Sequence, residues 1–177
     1  FDAPKLTFLS AVAVCRAILS VTGLQASVKW PNDVLLQGKK VAGLLNEMSA
    51  ETDRVHYVVL GIGVNLNMQE DQFPDNLRYP ATSLAIAGDR PVSRLDFTRV
   101  LLREIDAWYQ IFLQQGSEPV LDAWVQLCDM TGKAVRVDCN EVQIEGVMAG
   151  IAEDGALLVR TATGKMERVY AGDVRPA

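Results

Sequence analysis

Apolar side chains crowd every side of the first stretch of the chain. Leu6, Phe8, Leu9, Val12, Val14, Ile18 and Leu19 lie almost all round the segment between residues 6 and 21, and Gly23 follows where a helix C-cap belongs. A segment that is apolar all round sits inside a core, so the pattern predicts a buried helix closed by Gly23. The period then shortens. Residues 27–30, 34–36, 41–48 and 57–67 read as β-strands, and the second and third are joined at Gln37-Gly38-Lys39, where glycine supplies the positive φ of a tight hairpin. Residues 68–92 carry Pro74, Pro80, Gly88 and Pro91 among polar residues and read as a long loop.

Helical spacing returns after Ser93-Arg94-Leu95-Asp96, a capping box with Asp in place of Glu. Phe97, Leu101, Ile105, Trp108 and Phe112 fall on one face of the predicted helix, which Gly116 ends. A short amphipathic helix follows, with Pro119 near its start and Leu121, Trp124 and Val125 inward. From Thr131 the chain breaks into short alternating segments at 135–137, 142–147, 157–159 and 166–170, separated by glycines. Asp154-Gly155 and Thr163-Gly164 supply hairpin turns between them. Several short strands in so few residues imply a small antiparallel barrel, and the boundary falls near Thr131.

Composition narrows the function classes. The chain has 177 residues, 49% hydrophobic and 22% charged, which is ordinary for a globular protein with a real core. With 17 Lys plus Arg against 22 Asp plus Glu, the net charge of -5 offers no footprint for phosphate backbones, so no nucleic acid partner is expected. Cys15, Cys128 and Cys139 are far apart and odd in number, which suits a reducing cytosol and excludes a disulfide framework. A single histidine, His56, rules out a His-rich metal site and reads as a surface or interface residue. No apolar run has the length of a membrane span, and Asp2 and Lys5 interrupt any signal-peptide pattern, so a cytoplasmic protein with no membrane partner is expected. The chain begins at Phe1 without an initiator Met and runs straight into a core helix, so an upstream portion is expected.

Three stretches carry candidate chemistry. In Val28-Lys29-Trp30-Pro31-Asn32-Asp33 a lysine ends an apolar strand at a corner that Pro31 forces. Its ammonium either points into a cleft as a compact charge for a carboxylate or phosphate, or it is a solvated strand-end lysine beside a Trp that caps the core. In Leu60-Gly61-Ile62-Gly63-Val64-Asn65-Leu66-Asn67 alternate glycines strip one strand face and let a ligand approach the backbone. Asn65 and Asn67 share a face and could bond a nucleotide or hold metal-bound water; the alternative is a glycine bulge with two edge asparagines. No third glycine or following helix makes it a Rossmann fingerprint. The third, residues 39–47, has space cleared by Ala42 and Gly43 but reads as a surface hairpin with a basic tip and a packed strand carrying Glu47. Trp108 and Trp124 have core spacing, and Cys128 and Cys139 read as small buried hydrophobes.

In order and spacing, KWPND at 29–33, KVAGLLNE at 40–47 and GIGVNLN at 61–67 resemble the middle of the biotin–protein ligase catalytic domain. GIAEDGALLV at 150–159 and YAGDV at 170–174 resemble that family's SH3-like final domain. The resemblance implies an α+β fold: a mixed or antiparallel central sheet with helices on one face, like class II aminoacyl-tRNA synthetases, followed by a small SH3-like β-barrel. It implies a catalytic domain over residues 1–130, incomplete at its N-terminus, and an SH3-like domain over 131–177.

The implied activity joins ATP and biotin into biotinyl-5'-AMP, then moves biotin to a lysine of a biotin carboxyl carrier protein, with Mg2+ at the phosphates. By resemblance Lys29 is catalytic, contacting the biotin carboxylate and the phosphate. Trp30, Asn32, Asp33, Gly43, Gly61, Ile62, Gly63 and Asn65 bind biotin or adenylate, Asn65 also reaching the metal through water. The 68–83 loop resembles the adenylate lid, with Met68, Phe73 and Tyr79 on it. The family's Arg- and Gly-rich biotin loop would precede Phe1, so the isolated chain is expected to be inactive; Arg175 is the candidate for its C-terminal basic residue. A homodimer through a sheet edge is expected. The rival readings are a lipoate or octanoate ligase, against which KWPND argues, and a non-catalytic, carrier-binding dimerisation fragment.

Overall fold

The computed structural model describes residues 3–51, 54–139 and 142–177; Phe1, to which the expected upstream portion was tied, and Asp2 lie outside them. The all-apolar first segment forms α1 (Leu6–Thr22), preceded by a single 3-10 turn. Its hydroxyls turn back onto its own carbonyls, Ser10 Oγ to Leu6 and Thr22 Oγ1 to Ile18, so a helix apolar all round buries no unmatched oxygen there. Gly23 ends it at φ 78°, its N–H donating to the Leu19 carbonyl.

Four strands, β1 (Ser27–Lys29), β2 (Asp33–Leu36), β3 (Lys39–Ala50) and β4 (Val55–Val64), make an antiparallel sheet in chain order. The hairpin at residues 37–39 is as expected, although Gln37 shares the left-handed conformation with Gly38. α1 packs across all four strands, and α3 (Arg94–Gln115) and α4 (Glu118–Leu127) pack on α1, so the helices cover one face. The covered strand residues are Val28, Val34, Leu36, Ala42 and Leu44. β3 was read as a packed strand throughout; it is packed only to Leu44. Beyond it the β3–β4 arm reaches past the helices and exposes Leu45, Met48, Tyr57 and Val59 together with Glu47. β4 also stops at Val64, three residues short of its expected end.

The 68–92 loop is less irregular than its composition suggests, because it contains α2 (Leu84–Gly88), capped by Ser83 Oγ accepting from the Ile86 N–H. Ser93 Oγ caps α3 by accepting from the Asp96 N–H at 3.3 Å, which is one half of the expected box. Of the predicted inner face of α3 only Phe97 is fully buried; Leu101, Ile105, Trp108 and Phe112 are half-buried, since this helix lies outermost. Cys15 and Cys128 are buried, burial pushing the Cys15 thiol up to about 12, while Cys139 is half-buried rather than buried. His56 sits at the surface beside Glu51.

The remaining strands, β5 (Ala134–Cys139), β6 (Val142–Ile151), β7 (Leu157–Arg160), β8 (Met166–Val169) and β9 (Asp173–Pro176), form a second antiparallel sheet in the order β8-β7-β6-β5-β9. β9 had no periodic signal of its own. Among the described residues β8 and β9 pair only inward, so the sheet is open where a closed barrel was expected. One continuous core joins the two sheets. Phe8 of α1 meets Trp124 of α4 edge to face at 5.4 Å, and Gly155, at the β6–β7 turn with φ 88°, leaves room for the Phe8 ring where a Cβ would stand 2.9 Å from it. The mixed α+β architecture with antiparallel sheets is therefore as read from the sequence. No helix among the described residues is long and apolar enough to cross a membrane.

Candidate functional site

The strand register draws a line that the sequence does not display. Lys29 lies opposite Asp33, Asp33 opposite Gly43, and Gly43 opposite Gly63. Directly opposed residues of antiparallel strands share a face, so this row crosses the sheet on the side that the helices leave open. It runs from a lysine and an aspartate onto two positions without side chains, with Leu45 and Gly61 one step along.

The two glycines of β4 differ in what they do. A Cβ on Gly61 would stand 2.8 Å from the Leu45 carbonyl oxygen, so this glycine is required by the chain's own packing. A Cβ on Gly63 would meet only the Gly43 carbonyl, at an ordinary 3.7 Å. Gly61→Ala is therefore expected to lower stability by about 1–3 kcal/mol through overpacking, and Gly63→Ala by less than about 0.5 kcal/mol. Urea unfolding of both variants checks this, and equal midpoints would remove the distinction. Ile62 points to the helix-covered side, where with Val64, Met68, Phe97 and Leu101 it lines a cleft of about 520 Å³. Only its backbone belongs to the glycine face.

A second lysine enters the row. Val34 pairs with Ala42 but Leu35 pairs with Lys40, leaving Val41 as an extra residue in β3. Such a bulge resets the alternation of side chains. Val41 and Ala42 are both buried, and Lys40 comes round to the face of Gly43. Its ammonium pairs with Asp33 Oδ1, and its Cε and Nζ lie 3.2 and 3.3 Å from the place a Gly43 Cβ would take. The Lys40 side chain is 40% exposed. Its backbone is held on both sides by the 68–83 segment, Lys40 N–H donating to Pro80 at 2.8 Å and Thr82 N–H to the Lys40 carbonyl at 2.9 Å. Read as the basic tip of a surface hairpin, Lys40 is the charged residue that reading missed. The signal was the glycine three residues on, which strict strand alternation assigns to the other face.

Lys29 is neither solvated nor open to a cleft. It is 4% exposed, and its ammonium bonds Asp173 Oδ1 of β9 at 2.7 Å, with Asp33 Oδ2 at 3.8 Å and the Tyr79 ring centroid at 3.8 Å. A buried ammonium needs such partners. The Tyr79 hydroxyl lies 3.2 and 3.3 Å from the Asp173 oxygens and 3.1 Å from the Val174 carbonyl. Arg78 and Arg175 approach Asp173 Oδ2 at 3.1 and 3.3 Å, and the Arg175 guanidinium stands 5.6 Å from the Tyr79 ring. Burial would raise the Asp173 carboxyl, but the hydrogen bond and charge of Lys29, the Tyr79 hydroxyl and the Arg78 charge outweigh it and hold the group below the usual carboxylate range. Arg175 thus belongs to the same cluster as Lys29 and Tyr79.

Other singled-out residues bond to the protein's own backbone in this arrangement. Trp30 is buried, its Nε1 donating to the Gly155 carbonyl at 3.2 Å, and the Trp30–Pro31 peptide is cis. Asn32 locks the corner to β3, its Nδ2 donating to the Leu44 carbonyl at 2.7 Å and its own carbonyl accepting from Leu44 N–H. Asn65 and Asn67 lie beyond the end of β4 rather than on a strand face. Asn67 is exposed, its Nδ2 donating to the Val92 carbonyl and its Oδ1 accepting from the Val92 N–H. Asn65 Nδ2 donates to Thr82, while nothing among the described residues donates to its Oδ1. Of the residues expected on a lid, Tyr79 joins the Lys29 cluster and Met68 lines the cleft under α3; Phe73 is half-buried outside both. Among the described residues no three His, Cys, Asp or Glu converge as a metal site.

Residues 1–65 match the biotin/lipoate A/B protein ligase family, and residues 131–175 match the biotin protein ligase C-terminal domain. A bifunctional ligase/repressor BirA of Bacillus spizizenii is 37% identical over 171 residues, covering 97% of this chain and 52% of its own. The chain therefore spans about half the length of the curated relatives that head the comparison. A biotin–[acetyl-CoA-carboxylase] ligase of Paracoccus denitrificans is 31% identical, and the match covers 92% of this chain and 69% of the relative. The apo biotin protein ligase of Aquifex aeolicus superposes with a TM-score of 0.86 at 26% identity, covering 100% of this chain and 77% of that one; its complex with biotin and ATP gives 0.82 over 98% and 72%. With both sheets matched, and more than two thirds of a named biotin ligase spanned at this identity, the chain belongs to the biotin–protein ligase family.

Proposed function

We propose that this chain provides the adenylating sheet and the C-terminal domain of an enzyme that makes biotinyl-5'-AMP from biotin and ATP and transfers biotin to a lysine of a biotin carboxyl carrier protein. The observation that carries it is the row from Lys29 through Asp33 to Gly43 and Gly63, with the Lys40 ammonium laid across it. Family membership and relatives with ligase names support the same reading.

In the first step a biotin carboxylate oxygen attacks the α-phosphorus of ATP; the α–β bridging bond breaks and pyrophosphate leaves. Both reactants are anionic, so a cation that meets each is the main requirement. Two lysines can meet these anions: Lys29, the lysine that the resemblance makes catalytic, which would exchange its Asp173 and Asp33 partners for substrate oxygens, and Lys40, whose ammonium is paired with Asp33 but whose side chain is 40% exposed beside Gly43. Gly43 and Gly63 let biotin lie against the strands. In the second step the carrier lysine amine attacks the acyl carbon and AMP leaves, taking the electron pair; the reaction needs positioning more than an enzyme nucleophile.

Mg2+ is held chiefly by phosphates and water, and the unmatched Oδ1 of Asn65 suits an outer contact to one metal-bound water. When bound, the ion would supply charge neutralisation on the phosphates. The segment 68–83 serves as the lid that keeps water from the adenylate, with Tyr79 its anchor.

The reading includes two domains, residues 1–130 and 131–177, the second SH3-like. It also includes a cytoplasmic homodimer, which the apolar β3–β4 arm at the sheet edge supports. The test is to give the full-length parent ATP, biotin and candidate carrier proteins. Biotin-dependent pyrophosphate release and a carrier heavier by one biotinyl group are expected; a carrier of unchanged mass with no pyrophosphate would overturn the reading.

A further inference from the structure

A surface helix normally turns a polar face to water, but the outer side of α3 does not. Leu95, Leu102 and Tyr109 stand at seven-residue intervals, with Leu113 one turn further on, and they are 60%, 61%, 42% and 59% exposed. At 3.6 residues per turn the four make one stripe, about 27 Å long, on this 22-residue helix. Thr98 and the half-buried Ile105 border the stripe on one flank, and Arg99 and Asp106 border it on the other. A seven-residue interval is that of a seam between paired helices. The flanking charges are uncommitted within the chain. Asp106 has no ion-pair partner among the described residues, and Arg99 reaches only Asp96 of its own helix, at 3.7 Å with both side chains 63% exposed.

We infer that the stripe is a seam for a second copy of this chain, which lays its own α3 antiparallel across it about a twofold axis close to Leu102 and Arg103. The two charges select both the partner and its direction. Arg99 and Asp106 lie on the same flank, and like flanks of identical helices meet only in the antiparallel arrangement. Arg99 of each copy then stands opposite the partner's Asp106, and the pair is made twice. In a parallel arrangement unlike flanks meet, and Arg99 would face the partner's Thr98 and Ile105 instead. Antiparallel packing also brings the positive end of each helix beside the negative end of the other. Leu102 lies near the axis, and Leu95 of one copy comes beside the Tyr109–Leu113 end of the other. This seam is separate from the β3–β4 arm and from the lysine row, so the inference does not rest on the proposed activity.

The test uses the full-length protein with Leu102→Cys and a short bismaleimide linker, read as covalent dimer above the parent's own background. Linking through residue 102 reports this seam alone, whatever the β3–β4 arm does. Adding Arg99→Glu or Asp106→Arg sets like charges against one another twice, so each should lower the yield of linked dimer roughly tenfold at low salt. Adding both together exchanges the signs and should restore the yield, because the energy belongs to the pair. These side chains are exposed in the single chain, so unfolding midpoints should stay at the parental value in every variant. A yield indifferent to either reversal, or a double exchange no better than the single ones, would overturn the seam. Absence of linking would overturn it too. A residue 102 thiol that a small maleimide fails to label would then show another segment of the same polypeptide on the stripe, and a freely labelled one would show that no second copy docks there.

Discussion

Lys40→Ala in the full-length protein is expected to slow biotin-dependent pyrophosphate release by about 10²–10³-fold, the cost of removing one preorganised charge donor from a developing phosphoryl transition state. Stability should barely change. The Lys40 side chain is 40% exposed, and a pair of that kind is worth about 0–1 kcal/mol. Asp33 keeps the Lys29 ammonium within 3.8 Å when Lys40 is gone. Lys29 should behave in the opposite way. Its removal takes from Asp173 its nearest cation, at 2.7 Å, and empties a 4% exposed site against the Tyr79 ring, so loss of stability should accompany any loss of rate. Rates and urea midpoints for both variants separate the two roles. A Lys40→Ala enzyme with parental pyrophosphate release would end the assignment of Lys40 as a substrate-facing cation.

Trp30→Ala is expected to lower stability by about 3–5 kcal/mol, the range for deleting a buried Trp. The indole is 2% exposed and ties the corner after β1 to the β6–β7 turn through the Gly155 carbonyl. Because Phe8 packs against the same Gly155, the cavity would open at the seam between the two sheets, where neither can collapse into it alone. Trp30→Phe keeps most of the ring and strands that carbonyl, so a loss of about 1–3 kcal/mol is expected. Urea unfolding read by far-UV circular dichroism checks both, and an unchanged slope would mean the protein still unfolds as one unit. A Trp30→Ala protein within 1 kcal/mol of the parent would show that this residue does not join the sheets.

Much of the fold lay open in the order of residues. The all-apolar run, the Gly23 and Gly116 stops, the Ser93 cap and the Gly38, Gly155 and Gly164 turns are local signals, each acting within a few residues, and each element formed where its signal stood. The strand-ending lysine at a proline corner was legible for the same reason. Errors arose where burial is decided from a distance. β3 and α3 were given packed faces along their whole length, yet packing lasts only as far as a neighbour covers them, and pattern alone does not reveal where the neighbour ends. β9 is four residues long and pairs with β5, so its partner rather than its own pattern makes it a strand.

The site divides along the same line. Motif order and spacing carried the resemblance to the biotin–protein ligase family, and that resemblance, rather than the residues alone, made a cation, paired glycines and a following loop an expected site. Which lysine faces outward was decided only in three dimensions. A one-residue bulge at Val41 carries Lys40 onto the glycine face, and a carboxylate far along the chain, Asp173, takes Lys29 for the interior. Strand register and long-range charge pairing depend on what the rest of the chain brings alongside, and no reading of neighbours in sequence contains that.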